Sequence, residues 1–161
     1  DSVASRGLGD VYKRQDIKVI GVYRHFKSRG HAQSNIPDFW EDVHNMKLDQ
    51  RLLEKSNHIF HGLLGICIPQ EDSTMNYAIA VTSDDKPHDG LETFNIDAGN
   101  YMVVEALGPV PQSVQQTMKQ VHSKLMNNSE IHFKNGPFFE VYSEGNMQSK
   151  DYVTEIWLPV D

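Results

Sequence analysis

The chain has 161 residues and a mass of 18.3 kDa, a single-domain length, and its 39% hydrophobic and 23% charged residues exclude the disordered, collagenous and low-complexity classes. Fifteen Lys and Arg against 22 Asp and Glu leave a formal charge of −7, and with no basic stripe this argues against a phosphate-tracking, direct nucleic-acid partner. The lone cysteine, Cys67, cannot form an intramolecular disulfide or build a thiolate metal site, and no apolar run approaches the roughly 18 residues of a membrane helix, so a cytoplasmic location without a membrane partner is expected.

Residues 1–15, DSVASRGLGDVYKRQ, show no helical or strand periodicity before the apolar onset at Ile17. They resemble a translated adapter tract and are read as a non-native leader to a domain over residues 16–161. Residues 18–26 (KVIGVYRHF) have strand composition. Ile36, Phe39, Trp40, Val43 and Met46 then recur at helical spacing, with Ser34 or Asn35 as the cap and Pro37 in the first turn. Residues 62–68 (GLLGICI) and 76–83 (NYAIAVTS) form a hairpin pattern. Residues 92–107 are extended with a bend at Ala98–Asn100, and Pro111 and Ser113 introduce a second helix that presents Val114, Met118, Val121 and Leu125 and ends near Asn127 and Asn128. Residues 138–144 (FFEVYSE) and 152–160 (YVTEIWLPV) close the chain as two strands joined around Gly145 and Asn146. The order is strand-helix-strand-strand twice over. It predicts an α+β fold: two repeats with pseudo-twofold symmetry in a mainly antiparallel sheet, helices on one face and a ligand cleft on the other.

Alternation along the last two strands marks candidate binding residues. In TEIWLPV, Ile156, Leu158 and Val160 suit packing beneath the helices, which leaves Glu155, Trp157 and Pro159 on the opposite face. In FFEVYS, Phe139 and Val141 are taken as the inner set, leaving Phe138, Glu140 and Tyr142 beside Glu155 and Trp157. Tyr77 and Tyr101 could extend this aromatic surface. A carboxylate among rings is poorly solvated when ionised and calls for a cation, which ring faces also attract. The alternative is a solvated acidic sheet face whose rings merely cover neighbouring core.

These residues resemble the effector-binding domain of AraC-type and multidrug-responsive regulators, the GyrI-like small-molecule-binding family. The carrying segments are IPDFWEDV at 36–43, GLLGI at 62–66, LETFNIDAGNYMVVEALGP at 91–109, FFEVY at 138–142 and TEIWLPV at 154–160. The resemblance implies a stand-alone member whose two halves flank a cleft for amphipathic, often cationic molecules. Glu155 and Glu140 would be its acids, with Trp157, Tyr142, Phe138, Tyr101 and Trp40 around them. Two departures stand out: residues 122–137 lack the aromatic-rich segment of many relatives, and no helix is left over for a helix-turn-helix.

Three functions follow as expectations. The first is non-catalytic binding of small amphipathic cations, for sensing or sequestration. The second, by analogy with stand-alone relatives that open strained rings, is hydrolysis with Glu155, Tyr142 and Tyr101 as catalytic residues. The third is modulation of a protein partner, a DNA-binding regulator or a topoisomerase. No cofactor is expected, and the His58-x-x-His61 pair lacks the further ligands of a metal site. Cys67, in a Leu- and Ile-rich strand, reads as a buried inert thiol.

Overall fold

The computed structural model describes residues 10–87, 90–125 and 131–161. Its strands are β1 (Asp10–Arg14), β2 (Ile17–Phe26), β3 (Leu63–Pro69), β4 (Met75–Thr82), β5 (Glu92–Ile96), β6 (Gly99–Leu107), β7 (Phe138–Tyr142) and β8 (Val153–Val160). The helices are α1 (Arg29–Asn45), α2 (Leu48–Glu54) and α3 (Gln112–Gln120), the last running into a π-helical turn at Val121–Leu125. The strands form one sheet in the order β1-β6-β8-β7-β3-β4-β2-β5, with antiparallel neighbours throughout.

That order contains the duplication. The trio β2-β4-β3 mirrors β6-β8-β7, and the two trios meet where β3 pairs with β7. Helix α1 buries Ala32, Phe39 and Val43 against Ile20, Ile79 and Val81 of the first trio. Helix α3 and the turn after it bury Val114 and Val121 against Met102, Val104 and Ile156 of the second. The helices therefore cover one face of a sheet built from two related halves, as the sequence order predicts.

The first helix begins earlier than its apolar stripe. Ser28 is the N-cap, its Oγ accepting from the His31 amide at 3.0 Å, so Pro37 lies inside the helix and not in its first turn. The opening turns read RGHAQSN, too polar to betray a helix by periodicity. Asn127 and Asn128, the expected end of the second helix, lie outside the described residues.

The segment set aside as a leader is structured at its end: β1 pairs with β6, Arg14 facing Gly99. Three residues on, Ile17 faces Ile96 in the β2–β5 pair. β1–β2 and β5–β6 are thus two long antiparallel arms, the bent hairpin-like ribbon of the sheet, turning at residues 15–16 and 97–98, and Asp16 pins the bend by accepting the Ala98 amide at 2.6 Å. Because β1 and β5 are the two ends of the sheet, this ribbon curls the sheet back on itself. The inside of the curl is packed with Val19, Leu64, Ile66, Ala78, Ala80, Val103, Phe139, Val141 and Trp157 under a lid residue, Phe60.

Candidate functional site

Cross-strand partners share a face of the sheet, so the register decides which side chains can meet. Glu140 of β7 sits opposite Ile156 of β8 on one side and Gly65 of β3 on the other, and Gly65 sits opposite Ile79 of β4. Ile156 packs under α3 and Ile79 under α1, which places Glu140 on the helix-covered face together with Phe138 and Tyr142. Phe139 and Val141 point the other way, into the curl, where Phe139 pairs with Trp157 and Val141 with Glu155. The facing expected for β7 is therefore reversed, while that expected for β8 is as predicted. Alternation places the set with Glu140 away from the helices, but both faces of this sheet are buried, so the more apolar pair, Phe139 and Val141, goes into the curl instead.

The consequence is that the seven candidate residues do not form one group. Glu140, Tyr142, Phe138 and Trp40 lie on the helix side; Glu155, Trp157 and Tyr101 lie inside the curl. The three residues of the hydrolase expectation, Glu155, Tyr142 and Tyr101, are divided in the same way.

On the helix side the group is tightly wired. Trp40, on the α1 stripe, meets Tyr142 edge-to-face with centroids 5.1 Å apart. Its Nε1–H donates to the Tyr77 hydroxyl at 3.0 Å. Beside it, the Tyr142 hydroxyl donates to Glu140 Oε1. Trp40, Phe138, Glu140 and Tyr142 are all half-buried, whereas Tyr77 forms the closed floor at 2% exposure. Trp40 comes from α1, Tyr77 from β4 and the other three from β7, and Phe138 touches both helical cores.

Burial raises the Glu140 carboxyl above its ordinary range, and the Tyr142 hydrogen bond offsets part of that rise. Burial, followed by the nearby Glu140 charge, pushes the Tyr77 and Tyr142 phenols well up, so both remain protonated donors at neutral pH. Cys67, the cross-strand neighbour of Tyr77 and Phe138, is buried, and its thiol is likewise raised by burial and then by Glu140. It is a neutral wall of the same group.

Inside the curl, Phe139 and Trp157 stack at 5.5 Å and 12°, Phe60 stands edge-on to both, and Tyr101 flanks them. Trp157 and Tyr101 are each 5% exposed, and Trp157 Nε1–H donates to Glu155 Oε1 at 3.1 Å. Tyr101 donates its hydroxyl to the Asp97 carbonyl at 2.8 Å. The Arg14 guanidinium lies over the rings of Phe60 and Trp157, at 4.7 and 5.3 Å from their centroids. This second group is a packed interior.

The residues that sequence reasoning underweighted are Tyr77 and Gly65. Tyr77, Ile79 and Val81 alternate on one face of β4, so the signal for Tyr77 was present once the helix side was known. His58 and His61 stack at 5.5 Å on a loop, and among the described residues no three His, Cys, Asp or Glu side chains gather as a metal cluster.

The duplicated α+β half-barrel, with helices over one face, is the fold of an effector-binding domain. The family described as Cass2, integron-associated effector binding protein, matches residues 11–160, and the chain belongs to it. Among solved structures, SAV2435 bound to tetraphenylphosphonium is 34% identical, with a TM-score of 0.89 over 95% of this chain and 93% of that one. A putative bacterial transcription regulation protein from Staphylococcus aureus MU50 is also 34% identical, with a TM-score of 0.87 over 95% and 97%. An integron cassette protein from the mobile metagenome of Vibrio cholerae shares the fold at 14% identity and a TM-score of 0.66 over 95% and 96%. No curated protein matches the chain. No described helix is long and apolar enough to cross a membrane.

Proposed function

We propose that the chain binds small amphipathic cations, without transforming them, in the strip between α1 and α3, with Glu140 as the charge partner and Trp40, Tyr142, Phe138 and Tyr77 as the aromatic walls. One observation carries this reading: the Glu140 carboxyl is buried among aromatic rings with the Tyr142 hydroxyl donating to it, and that burial raises it above its ordinary range. A carboxylate held in that way gains by meeting a cation, and the surrounding ring faces contribute roughly 0.5–2 kcal/mol each to the same cation. The tetraphenylphosphonium bound to SAV2435, 34% identical over nearly the whole chain, supports the same chemistry here.

Calorimetric titration with tetraphenylphosphonium and with uncharged triphenylphosphine oxide tests the reading. Saturable binding of the cation, with much weaker binding of the neutral compound, is the expected result. Equal affinity for both, or none for either, overturns it.

A second reading is favoured by one contact, the Tyr142 hydroxyl donating to Glu140. A carboxyl and a phenol in contact form a general acid–base pair, so the same site could activate water toward a strained electrophile. Product formation from a cyclopropane-containing electrophile, lost in Glu140→Gln, tests this activity; no turnover by the native chain excludes it for that substrate.

A further inference from the structure

Two hydroxyl groups beneath α3 have no part in the proposed charge recognition. Thr154 is fully buried and Ser113 is 6% exposed, and among the described residues neither Thr154 Oγ1 nor Ser113 Oγ has a hydrogen-bond partner. Buried hydroxyls are ordinarily paired, because an unpaired one gives up its hydrogen bonds to water and gains none in return. The other buried serine and threonine follow that rule: Thr82 Oγ1 accepts from the Phe60 amide at 3.4 Å and Ser83 Oγ from the Asp85 amide at 3.1 Å. Thr154 and Ser113 break it, and they do so together.

The register puts both at one end of the strip. Thr154 sits opposite Tyr142 of β7 and Ala106 of β6, two residues along β8 from Ile156, the partner of Glu140. It is therefore the diagonal neighbour of Glu140 on the same face, roughly 7–8 Å away at the backbone. Gly108 lies two residues past Ala106 and donates its amide to the Tyr152 carbonyl at 2.7 Å. Ser113 leans over that bare position, since a Cβ on Gly108 would lie 3.6 Å from the Ser113 Cβ. The two hydroxyl-bearing residues thus stand on successive cross-strand pairs, Ala106–Thr154 and Gly108–Tyr152, on the α3 side of Tyr142. The start of α3 has no side-chain cap and buries only Ser113 and Val114, so its first turn meets the sheet as a serine over a glycine and has little apolar hold there.

We infer that Thr154 and Ser113 are a donor pair for a second group on the ligand, a carbonyl-type oxygen carried about one aromatic ring away from the cationic centre. The assignment rests on the proposed function and deepens it from the charge of the ligand to the polar arm beside that charge. With the cation at Glu140, an arm that passes Tyr142 toward α3 meets Thr154 and then Ser113. A hydroxyl can donate or accept, but the uncapped N-terminus of α3 beside Ser113 presents backbone N–H groups and the positive end of the helix dipole, which favours an acceptor there. One carbonyl oxygen has two lone pairs and can take both hydroxyl protons. A hydrocarbon arm of the same shape leaves both hydroxyls unpaired.

The test is calorimetric titration with (4-acetylphenyl)triphenylphosphonium and (4-isopropylphenyl)triphenylphosphonium, two cations of one shape that differ in a carbonyl oxygen. Relative to the native chain, the ratio of the two affinities should move toward the isopropyl compound by about tenfold in Thr154→Val and by about fivefold in Ser113→Ala, the difference expected from losing one buried hydrogen bond. Thr154→Ser, which keeps the hydroxyl, should hold the native ratio. Thermal unfolding of the free chains gives an independent reading: Thr154→Val replaces an unpaired buried hydroxyl by a methyl group and should be at least as stable as the native chain. A native ratio retained in Thr154→Val or Ser113→Ala, an equal shift in Thr154→Ser and Thr154→Val, or a Thr154→Val chain less stable than the native one overturns the inference. So does binding of tetraphenylphosphonium with neither substituted ion bound, since the arm then has no place. Native protein that binds none of the three phosphonium ions overturns the proposed function instead, so the two failures are distinguishable.

Discussion

Glu140 and Glu155 stand on adjacent strands with their side chains on opposite faces of the sheet, Glu140 opposite Ile156 and Glu155 opposite Val141. One looks out between two helices; the other caps a packed interior. Two acids that alternation placed together thus answer different tests. Glu140→Gln is expected to weaken tetraphenylphosphonium by about 2–4 kcal/mol, the range for removing one member of a desolvated charge pair, while leaving triphenylphosphine oxide unchanged. Glu155→Gln keeps the acceptor for the Trp157 indole and is expected to bind both compounds as the native chain does. Calorimetry on the two variants reads this directly, and the opposite pattern would move the site into the curl.

The pH dependence has a definite sign. Burial raises the folded-state pKa of Glu140 above its ordinary 4.5, so across that window the folded chain holds more proton than the unfolded one. Its contribution to stability is therefore greatest below the ordinary value, falls as pH rises through the raised folded value, and is level above it. Cation affinity runs the other way, rising over the same window as the carboxylate forms. Thermal unfolding and titration from acid to neutral pH should show these opposed slopes, and Glu140→Gln should remove both contributions.

Trp157 is expected to act on stability rather than on recognition. It is 5% exposed and stacks on Phe139 with Phe60 edge-on. Trp157→Ala should cost about 3–5 kcal/mol in denaturant unfolding, the range for emptying a large aromatic site. At a temperature where the variant is fully folded, its ratio of cation to neutral affinity should equal the native ratio.

Trp40→Phe separates ring from indole N–H. The ring contact with Tyr142 is largely kept, but the Tyr77 oxygen loses its donor. The net value of one such hydrogen bond, about 0.5–1.5 kcal/mol, bounds the expected fall in cation affinity. A loss well beyond that range would mean that the indole itself, and not its hydrogen bond, holds the ligand.

The duplication was legible in the sequence because both halves repeat the same alternation of β-branched strands and amphipathic helices, and the E-x-Y and E-x-W-x-P strands pair as expected. The facing of β7 was not, for a physical reason. Both faces of this sheet are buried, one by helices and one by its own curl, so Phe138 and Phe139 are equally at home on either side. Only the register with β8, which seats Phe139 against Trp157, breaks the tie. β1 escaped notice because the residues it turns toward Trp157, Tyr12 and Arg14, are not an apolar alternation, and its pairing with β6 is made by the backbone. The start of α1 was hidden because its first turns are polar and its cap, Ser28, precedes the stripe by eight residues. Tyr77 could be placed only once the helix side of β4 was known, where it alternates with Ile79 and Val81.

The bent hairpin has a mechanical consequence for ligand size. Asp16 ties the two arms together at Ala98 where they turn, on the side away from the middle strands. The interior of the curl is filled to the wall by Phe60, Phe139 and Trp157 and resists flattening. On the reading proposed above, a wide guest would have to part α1 from α3 rather than open the sheet, so that ligand girth would be read out as the spacing of the two helices.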